Sequence, residues 1–205
     1  MTTTFLRACS CCTLLLAACV SVDLDESDRD AHFYELRVRK QLGGGAVHEG
    51  AHLELGARSV AGSTDVLDYS LQTAAFGIGV DGALGERGWA GVTGGLLWQR
   101  SSFELPTEDL GSQHAAGPYL ALQGGWMATP WLEPFARAEA AFLFREFISV
   151  YSLELGLRLH LIDHAALFCG WRRAHYLIND FDEPLGIEQV ELDLRGLVFG
   201  LELAF

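Results

Sequence analysis

One segment of the chain alternates strictly between apolar and polar residues, and it limits the fold more than any other feature of the sequence. From Tyr151 to Leu161 every odd-numbered residue is tyrosine or leucine, whereas the even-numbered positions include Glu154, Arg158 and His160. Successive side chains of a β-strand point to opposite faces of the sheet. The period of two therefore predicts a strand with one hydrocarbon face and one charged face, and it leaves open which face points outward.

Seven further segments have β-type patterns, so that eight strands are predicted. Short turns at 82–88, 128–131 and 162–164 follow even-numbered strands, and longer polar loops follow most of the odd-numbered ones. This asymmetry and the even strand count are typical of transmembrane barrels with both termini on one side. We therefore predict an all-β fold, an eight-stranded antiparallel transmembrane β-barrel, with strands at 48–59, 69–81, 89–103, 116–127, 132–146, 150–161, 165–178 and 189–205. Its longer, extracellular loops are predicted at 60–68, 104–115 and 179–188.

A soluble barrel with an apolar interior, of the lipocalin kind, would show the same alternation. Three features favour the membrane. Trp89, Trp126 and Trp131 lie close to the predicted turns, where membrane barrels have an aromatic girdle. The predicted strands exceed the roughly 9 to 11 residues that cross a bilayer at a tilt. Finally, Leu203 and Phe205 close an alternating C-terminal segment, which resembles the assembly signal read by the barrel-insertion machinery of bacterial outer membranes.

The first 18 residues have the composition of an export signal. Arg7 is their only charged residue, an apolar run follows it, and small residues precede Cys19. The segment Leu-Ala-Ala-Cys resembles the lipobox of bacterial lipoproteins, which implies palmitate-type acyl chains on Cys19. Residues 20–32 are polar and acidic without apolar periodicity, so we predict that residues 19–47 are a lipid-anchored acidic linker and periplasmic segment before a barrel at 48–205. We expect the anchor to lie in the periplasmic leaflet of the outer membrane. An ordinary secretory signal cleaved nearby is the alternative, and residues 33–42 fit either a short strand or a helix.

Charge and cysteine content exclude two further classes of protein. The formal net charge is −13, so the surface repels phosphate backbones and nucleic-acid binding is not expected. Once the signal is removed and Cys19 is acylated, only Cys169 remains, which precludes a disulfide framework. We expect a monomer without a cofactor, whose partners are outer-membrane lipids, lipopolysaccharide and, through Phe205, the assembly machinery.

If the leucine face meets lipid, the opposite faces of the strands line a narrow interior with charges that must pair, because an isolated buried charge is costly. This arrangement resembles the transmembrane domain of the outer-membrane protein A type, whose lumen is plugged by charged pairs. A small gated channel is the alternative. The predicted ion-pair network comprises Glu54, Arg58, Arg137, Glu139, Glu154, Arg158 and Glu202.

Two weaker hypotheses concern chemistry. His175 followed by Glu188 resembles the end of the lipid A deacylases, in which a His-x-Ser element and a downstream glutamate form the site. That resemblance implies a general base at His175 oriented by Glu188, but the residue two positions after His175 is leucine instead of the serine nucleophile. Asp180 and Asp182 are candidate ligands for a divalent cation, although the spacing departs from a calcium loop.

The last strand changes phase, since Leu192 and Leu194 lie on one face while Leu197 and Phe205 lie on the other. Either a bulge near residues 195–196 or an upper half that projects beyond the bilayer would explain this. We prefer the second interpretation, which directs Glu191 and Asp193 outward. Taken together, the sequence predicts a non-enzymatic outer-membrane barrel with a structural or surface-interaction role.

Overall fold

The computed structural model describes residues 21–23, 31–42, 49–63, 68–105, 108–144, 148–182 and 187–205. In these ranges the chain is all-β, and no helix there is long and apolar enough to cross a membrane. The strands are β1 (Ser21–Asp23), β2 (Ala31–Gln41), β3 (Gly50–Ser63), β4 (Asp68–Leu84), β5 (Gly88–Leu105), β6 (Glu108–Trp126), β7 (Leu132–Leu143), β8 (Ile148–Ile162), β9 (Ala165–Asp182) and β10 (Ile187–Ala204).

Strands β2 to β10 form one closed barrel. Each pairs with its neighbour in sequence in antiparallel fashion, and β10 pairs with both β9 and β2. The predicted all-β barrel is thus confirmed, but it has nine strands and not eight. The additional strand is β2, which lies in the segment that the sequence left open between strand and helix.

The sequence of β2 has the same two-faced pattern as β8. Phe33, Glu35, Arg37 and Arg39 are buried in the barrel, while Tyr34 and Leu36 on the opposite face are exposed. Because the strand places three charged side chains inside, it depends on the oppositely charged residues of the other strands. Residues 31–41 are therefore a wall of the barrel and not part of a linker.

The odd strand number determines where the chain enters the barrel. β2 runs parallel to β10, from Ala31 opposite Gly196 to Arg39 opposite Ala204. Beyond the last register pair, the Phe205 amide donates a hydrogen bond to the Arg39 carbonyl at 2.9 Å. The first barrel strand accordingly begins at the end opposite Phe205, whereas an even count would have put both ends of the barrel on one side.

The connections at the two ends of the barrel differ. At the end that contains Phe205, β4 and β5 are joined by a tight turn in which Gly85 adopts a positive φ of 73°. At the opposite end, the loops predicted at 60–68, 104–115 and 179–188 are mostly strand, because the hairpins extend to Ser63 and Asp68, to Leu105 and Glu108, and to Asp182 and Ile187. Polar composition was misleading there, since backbone hydrogen bonds continue a strand regardless of side-chain polarity.

The apolar face of the alternating strand points outward. Leu153, Leu155 and Leu157 of β8 are exposed, whereas Glu154 and Arg158 are buried in the interior. β10 keeps a single alternation through its phase change, with Leu192 inside and Asp193 outward, and its pairing with β9 has no register shift between Gln189 and Leu203. A bulge at 195–196 therefore does not explain the phase change, and the projection of the upper half beyond a bilayer stays a prediction.

Disulfide cross-linking tests the parallel seam. In a Cys169→Ser background, cysteines at Val38 and Leu203, which are register partners, are expected to form a disulfide on mild oxidation. Leu55 pairs with Val38 from the other side, so cysteines at Leu55 and Leu203 lie about two strand spacings, roughly 10 Å, apart and should not cross-link. Gel mobility reports the result. An efficient 55–203 disulfide would instead mean that β3 closes the barrel and that β2 lies outside it.

Candidate functional site

The interior of the barrel has two layers. The half near Phe205 contains charged side chains, and in the described part of the chain these comprise six arginines and seven carboxylates. The half toward the opposite end is filled mainly by apolar side chains, which include Leu71, Phe103, Leu143, Ile148 and Leu192, and it also buries the hydrogen-bonded pair Gln99 and Ser101. One layer thus pairs buried charges, and the other is mainly apolar packing.

Strand β2 supplies the centre of the charged layer. The Glu35 carboxylate accepts hydrogen bonds from Arg37 at 2.9 Å, from Arg58 at 3.2 Å and from Arg172 at 2.6 Å. Arg37 also donates to Glu154 at 2.7 Å, on the far side of the interior. A single carboxylate on β2 is therefore shared by guanidinium groups from β2, β3 and β9.

The remaining pairs extend this cluster into a continuous chain. Arg39 bonds Asp81 at 2.8 Å and Glu54 at 3.2 Å, and Arg137 bonds the other oxygen of Glu54 at 2.8 Å. Carboxylates and guanidinium groups alternate along the chain, so like charges are separated by opposite ones. Its order is Asp81, Arg39, Glu54, Arg137, Glu139, Arg58, Glu35, Arg172 and Glu154.

A second cluster lies nearest the Phe205 end. Glu133 is fully buried. Its carboxylate accepts hydrogen bonds from Arg158 and from the Trp89 indole at 2.9 Å, and it pairs with His160 at 2.8 Å. Arg158 also pairs with Glu202 at 3.0 Å. Trp89 was predicted to belong to the outer aromatic girdle, but it points inward, because proximity to a turn does not determine which face of the strand a residue occupies.

Aromatic rings fill the spaces between the charged groups. The Arg37 guanidinium lies 4.3 Å from the centroid of Phe168, and that of Arg158 lies 4.8 Å from the centroid of Phe135. The two rings meet edge to face at 5.9 Å. Gly200 leaves room for this arrangement, since a Cβ there would collide with the Phe168 ring. The guanidinium groups thus have cation–π contacts in addition to ion pairs.

One cavity in this layer is bounded by Glu35, Glu54, Arg58, Arg137 and Glu139 and measures about 10 Å³, which is room for about one water molecule. Side chains from opposite walls are bonded to each other across the interior.

The structure brings together all seven residues of the predicted network, Glu54, Arg58, Arg137, Glu139, Glu154, Arg158 and Glu202. Sequence reasoning missed six other members: Glu35, Arg37, Arg39, Asp81, Glu133 and Arg172. The residues on β2 were missed because that segment was assigned to the linker. The signal that could have revealed β2 is the alternation of Tyr34, Leu36 and Val38 with charged residues.

An apolar belt surrounds the outside of the barrel. On β8 it extends from Tyr151 to Leu161, about 33 Å along the strand, which at a tilt near 40° is about 25 Å along the barrel axis. Exposed aromatic residues mark its two rims. At the end opposite Phe205 these are Tyr34, Trp98, Tyr151 and Trp171, and at the other end they are Trp126, Trp131 and Phe205.

Above the belt, on the side away from Phe205, the outward face becomes polar and charged. Asp193 accepts hydrogen bonds from Arg173 at 2.5 Å and from Arg195 at 2.7 Å. Partial burial raises the pKa of Asp193, but the hydrogen bonds from these two arginines outweigh it and hold that pKa below its ordinary value. The outward direction proposed for Asp193 and Glu191 agrees with this arrangement.

The structure describes only part of the site in the deacylase hypothesis. His175 faces outward above the belt, where its Nε2 lies 3.6 Å from a Glu191 oxygen, and position 177 is leucine. The side chains of Glu188, Asp180 and Asp182 lie outside the described residues, as does Cys19. Among the side chains that are described, no three His, Cys, Asp or Glu residues are grouped as a metal site.

Comparison with protein-family models, with curated proteins and with solved structures gave no match for this chain.

Substitution of Glu35 tests the importance of the network. Glu35→Gln keeps the shape of the side chain but removes the charge shared by three arginines, and removing one partner of a buried pair costs about 3–5 kcal/mol. We expect a decrease of at least about 3 kcal/mol in the free energy of unfolding, measured by urea titration of the reconstituted protein.

Glu191→Gln is the matched control, because Glu191 is solvent-exposed and its loss should cost less than about 1 kcal/mol. Equal effects of the two substitutions would mean that the interior charges do not stabilise the barrel.

Proposed function

We propose that this protein is a barrel of a Gram-negative outer membrane, anchored by acyl chains on Cys19, with a closed interior and a structural or surface-interaction role. The main support for this is that the two faces of one sheet have opposite character. Its outward face is a belt of exposed leucine and aromatic side chains, and its inward face is a network of paired charges.

The belt argues for a lipid environment. Soluble monomers rarely expose a contiguous apolar patch larger than a few hundred Å², and here large apolar side chains remain exposed on every strand from β2 to β10. A height of about 25 Å with aromatic rims is that of outer-membrane barrels. Closure of the sheet adds to the case, because a closed barrel leaves no unpaired edge strand in lipid.

The packed interior favours a plugged barrel over a gated channel. To open a path, ion pairs such as Arg37–Glu154 and Arg137–Glu54 would have to separate in a space of low polarity. Each guanidinium or carboxylate left alone there costs several kcal/mol. The apolar layer above the charges would also have to be displaced.

The extended hairpins offer the surface for interaction. On β5, Leu105 lies seven residues beyond Trp98 of the rim, which is about 23 Å along the strand. Arg173 and Arg195, just above the belt, are suited to the phosphate groups of lipopolysaccharide. Phe205, at the opposite end, is the residue that the assembly machinery would read.

Conductance tests the closed interior. The purified protein, reconstituted in a planar bilayer, is expected to produce no stable open channel, because its lumen is filled by bonded side chains. A porin inserted by the same procedure provides the positive control, and a heat-dependent shift in gel mobility verifies that the barrel is folded. A stable pore of porin-like conductance would overturn the plugged-lumen proposal in favour of a channel.

A further inference from the structure

Outward side chains of the barrel form rows that cross the strands in the direction of the backbone hydrogen bonds. Two adjacent rows follow from the pairing registers between β8 and β4, by way of β9, β10, β2 and β3. The upper row consists of Leu157, Cys169, Phe199, Tyr34, Ser59 and Gln72. The lower row, one step nearer the Phe205 end, consists of Leu159, Leu167, Leu201, Leu36, Ala57 and Ala74.

A groove of about 1100 Å³ lies between these rows on the outside of the barrel, and its lining includes members of both. The rows climb along the barrel axis because the strands are tilted. Leu159 lies three residues before the end of β8, near Phe205, whereas Ala74 lies ten residues before the corresponding end of β4. The five strand spacings between them, about 24 Å, give a climb of about 15 Å at a tilt near 40°. This is about half the 30 Å thickness of a bilayer's hydrocarbon layer.

The upper row changes character as it climbs. Its members from β8 to β10 are Leu157, Cys169 and Phe199, but on β3 and β4 they are Ser59 and Gln72. Beyond Gln72 the same row continues to Arg100 on β5 and His114 on β6.

The polar end of the row lies beside the aromatic rim of the belt. Arg100 is two residues beyond Trp98 on β5, and the His114 ring stacks on Trp98 with ring centroids 5.5 Å apart. The side chains of Gln72, Arg100 and His114 are all exposed. The groove therefore has an apolar body and hydrogen-bond donors at its upper end.

The charge around Arg100 is positive. Its outward neighbours within two register positions on β4, β5 and β6 all belong to the described residues, and none of them is acidic. Arg173 and Arg195 differ, since they share the Asp193 carboxylate. A guanidinium beside an amide and an imidazole suits an anion with several acceptor oxygens, and a phosphate group has them.

From this geometry we infer that the groove binds the lipid A portion of lipopolysaccharide, with an acyl chain between the two rows and a phosphate group on Arg100, Gln72 and His114. The inference rests on the proposed function, which places the hairpin end of the barrel at the cell surface. The polar end of the groove then meets the headgroups of the outer leaflet, and its apolar body descends into the hydrocarbon layer. The match to an anionic lipid lies in this order of apolar and cationic side chains.

Binding of purified diphosphorylated lipid A tests the inference. The folded protein in detergent micelles is titrated with it, and native mass spectrometry measures the bound fraction. Arg100→Ala is expected to weaken binding about tenfold, because hydrogen bonds from a charged group are lost. Arg87→Ala is the matched control, since Arg87 is exposed in the turn at the opposite end, and should leave the affinity unchanged.

A second pair of variants tests the groove without altering its charge. Ala57→Leu places a larger side chain in the lining and is expected to lower the affinity for lipid A. Ala138→Leu, an outward position on β7 outside the lining, should have no effect. A heat-dependent shift in gel mobility verifies that each variant is folded.

The outcomes separate this inference from the proposed function. Affinities of Arg100→Ala and Ala57→Leu equal to that of the wild type would overturn the site, and the outer-membrane barrel would stand. Phosphatidylglycerol that binds as tightly, with the same dependence on Arg100, would mean that the occupant is a glycerophospholipid and that the lipid A assignment is wrong. A wild-type protein absent from the outer-membrane fraction of cells would overturn the proposed function, and this inference with it.

Discussion

The requirement that every buried charge has a partner determines how this barrel is built. Strand β2 brings Glu35, Arg37 and Arg39 into the interior, and their partners come from β3, β4, β8 and β9. Without β2, the described interior would keep four arginines against six carboxylates, and Asp81 would lose its ion pair with Arg39. Buried charges without partners are far more costly than buried pairs. The ninth strand is thus needed electrostatically as well as for closing the sheet.

Much of the fold was predictable because side-chain alternation reports directly on strands with two different faces. The alternation from Tyr151 to Leu161 predicts both the strand and its division into an apolar and a charged face. The same pattern in the other predicted strands identified seven members of the interior network. The strand count was not predictable in the same way, because the two-faced pattern of 31–41 was read beside an acidic, linker-like segment. Which face Trp89 occupies was also undetermined, since a lone aromatic near a turn has no alternating neighbours that assign it.

Parity links the strand count to the position of the termini. A meander of antiparallel strands reverses direction at every turn, so an odd number leaves the first and last strands parallel, as β2 and β10 are. One additional strand therefore moves the N-terminal entry from the Phe205 end to the hairpin end. A sequence-based error of one strand changes little in the wall of the barrel, yet it reverses the side on which the chain begins.

Hydrogen exchange of β2 is the most direct test that this strand closes and fills the barrel. Amides from Phe33 to Arg39, measured in the reconstituted protein, should exchange as slowly as those from Leu197 to Leu203 of β10, since both segments are paired in the same seam. Rapid exchange of the β2 amides beside a protected β10 would contradict the nine-stranded barrel, and with it the interior network centred on Glu35 and Arg37.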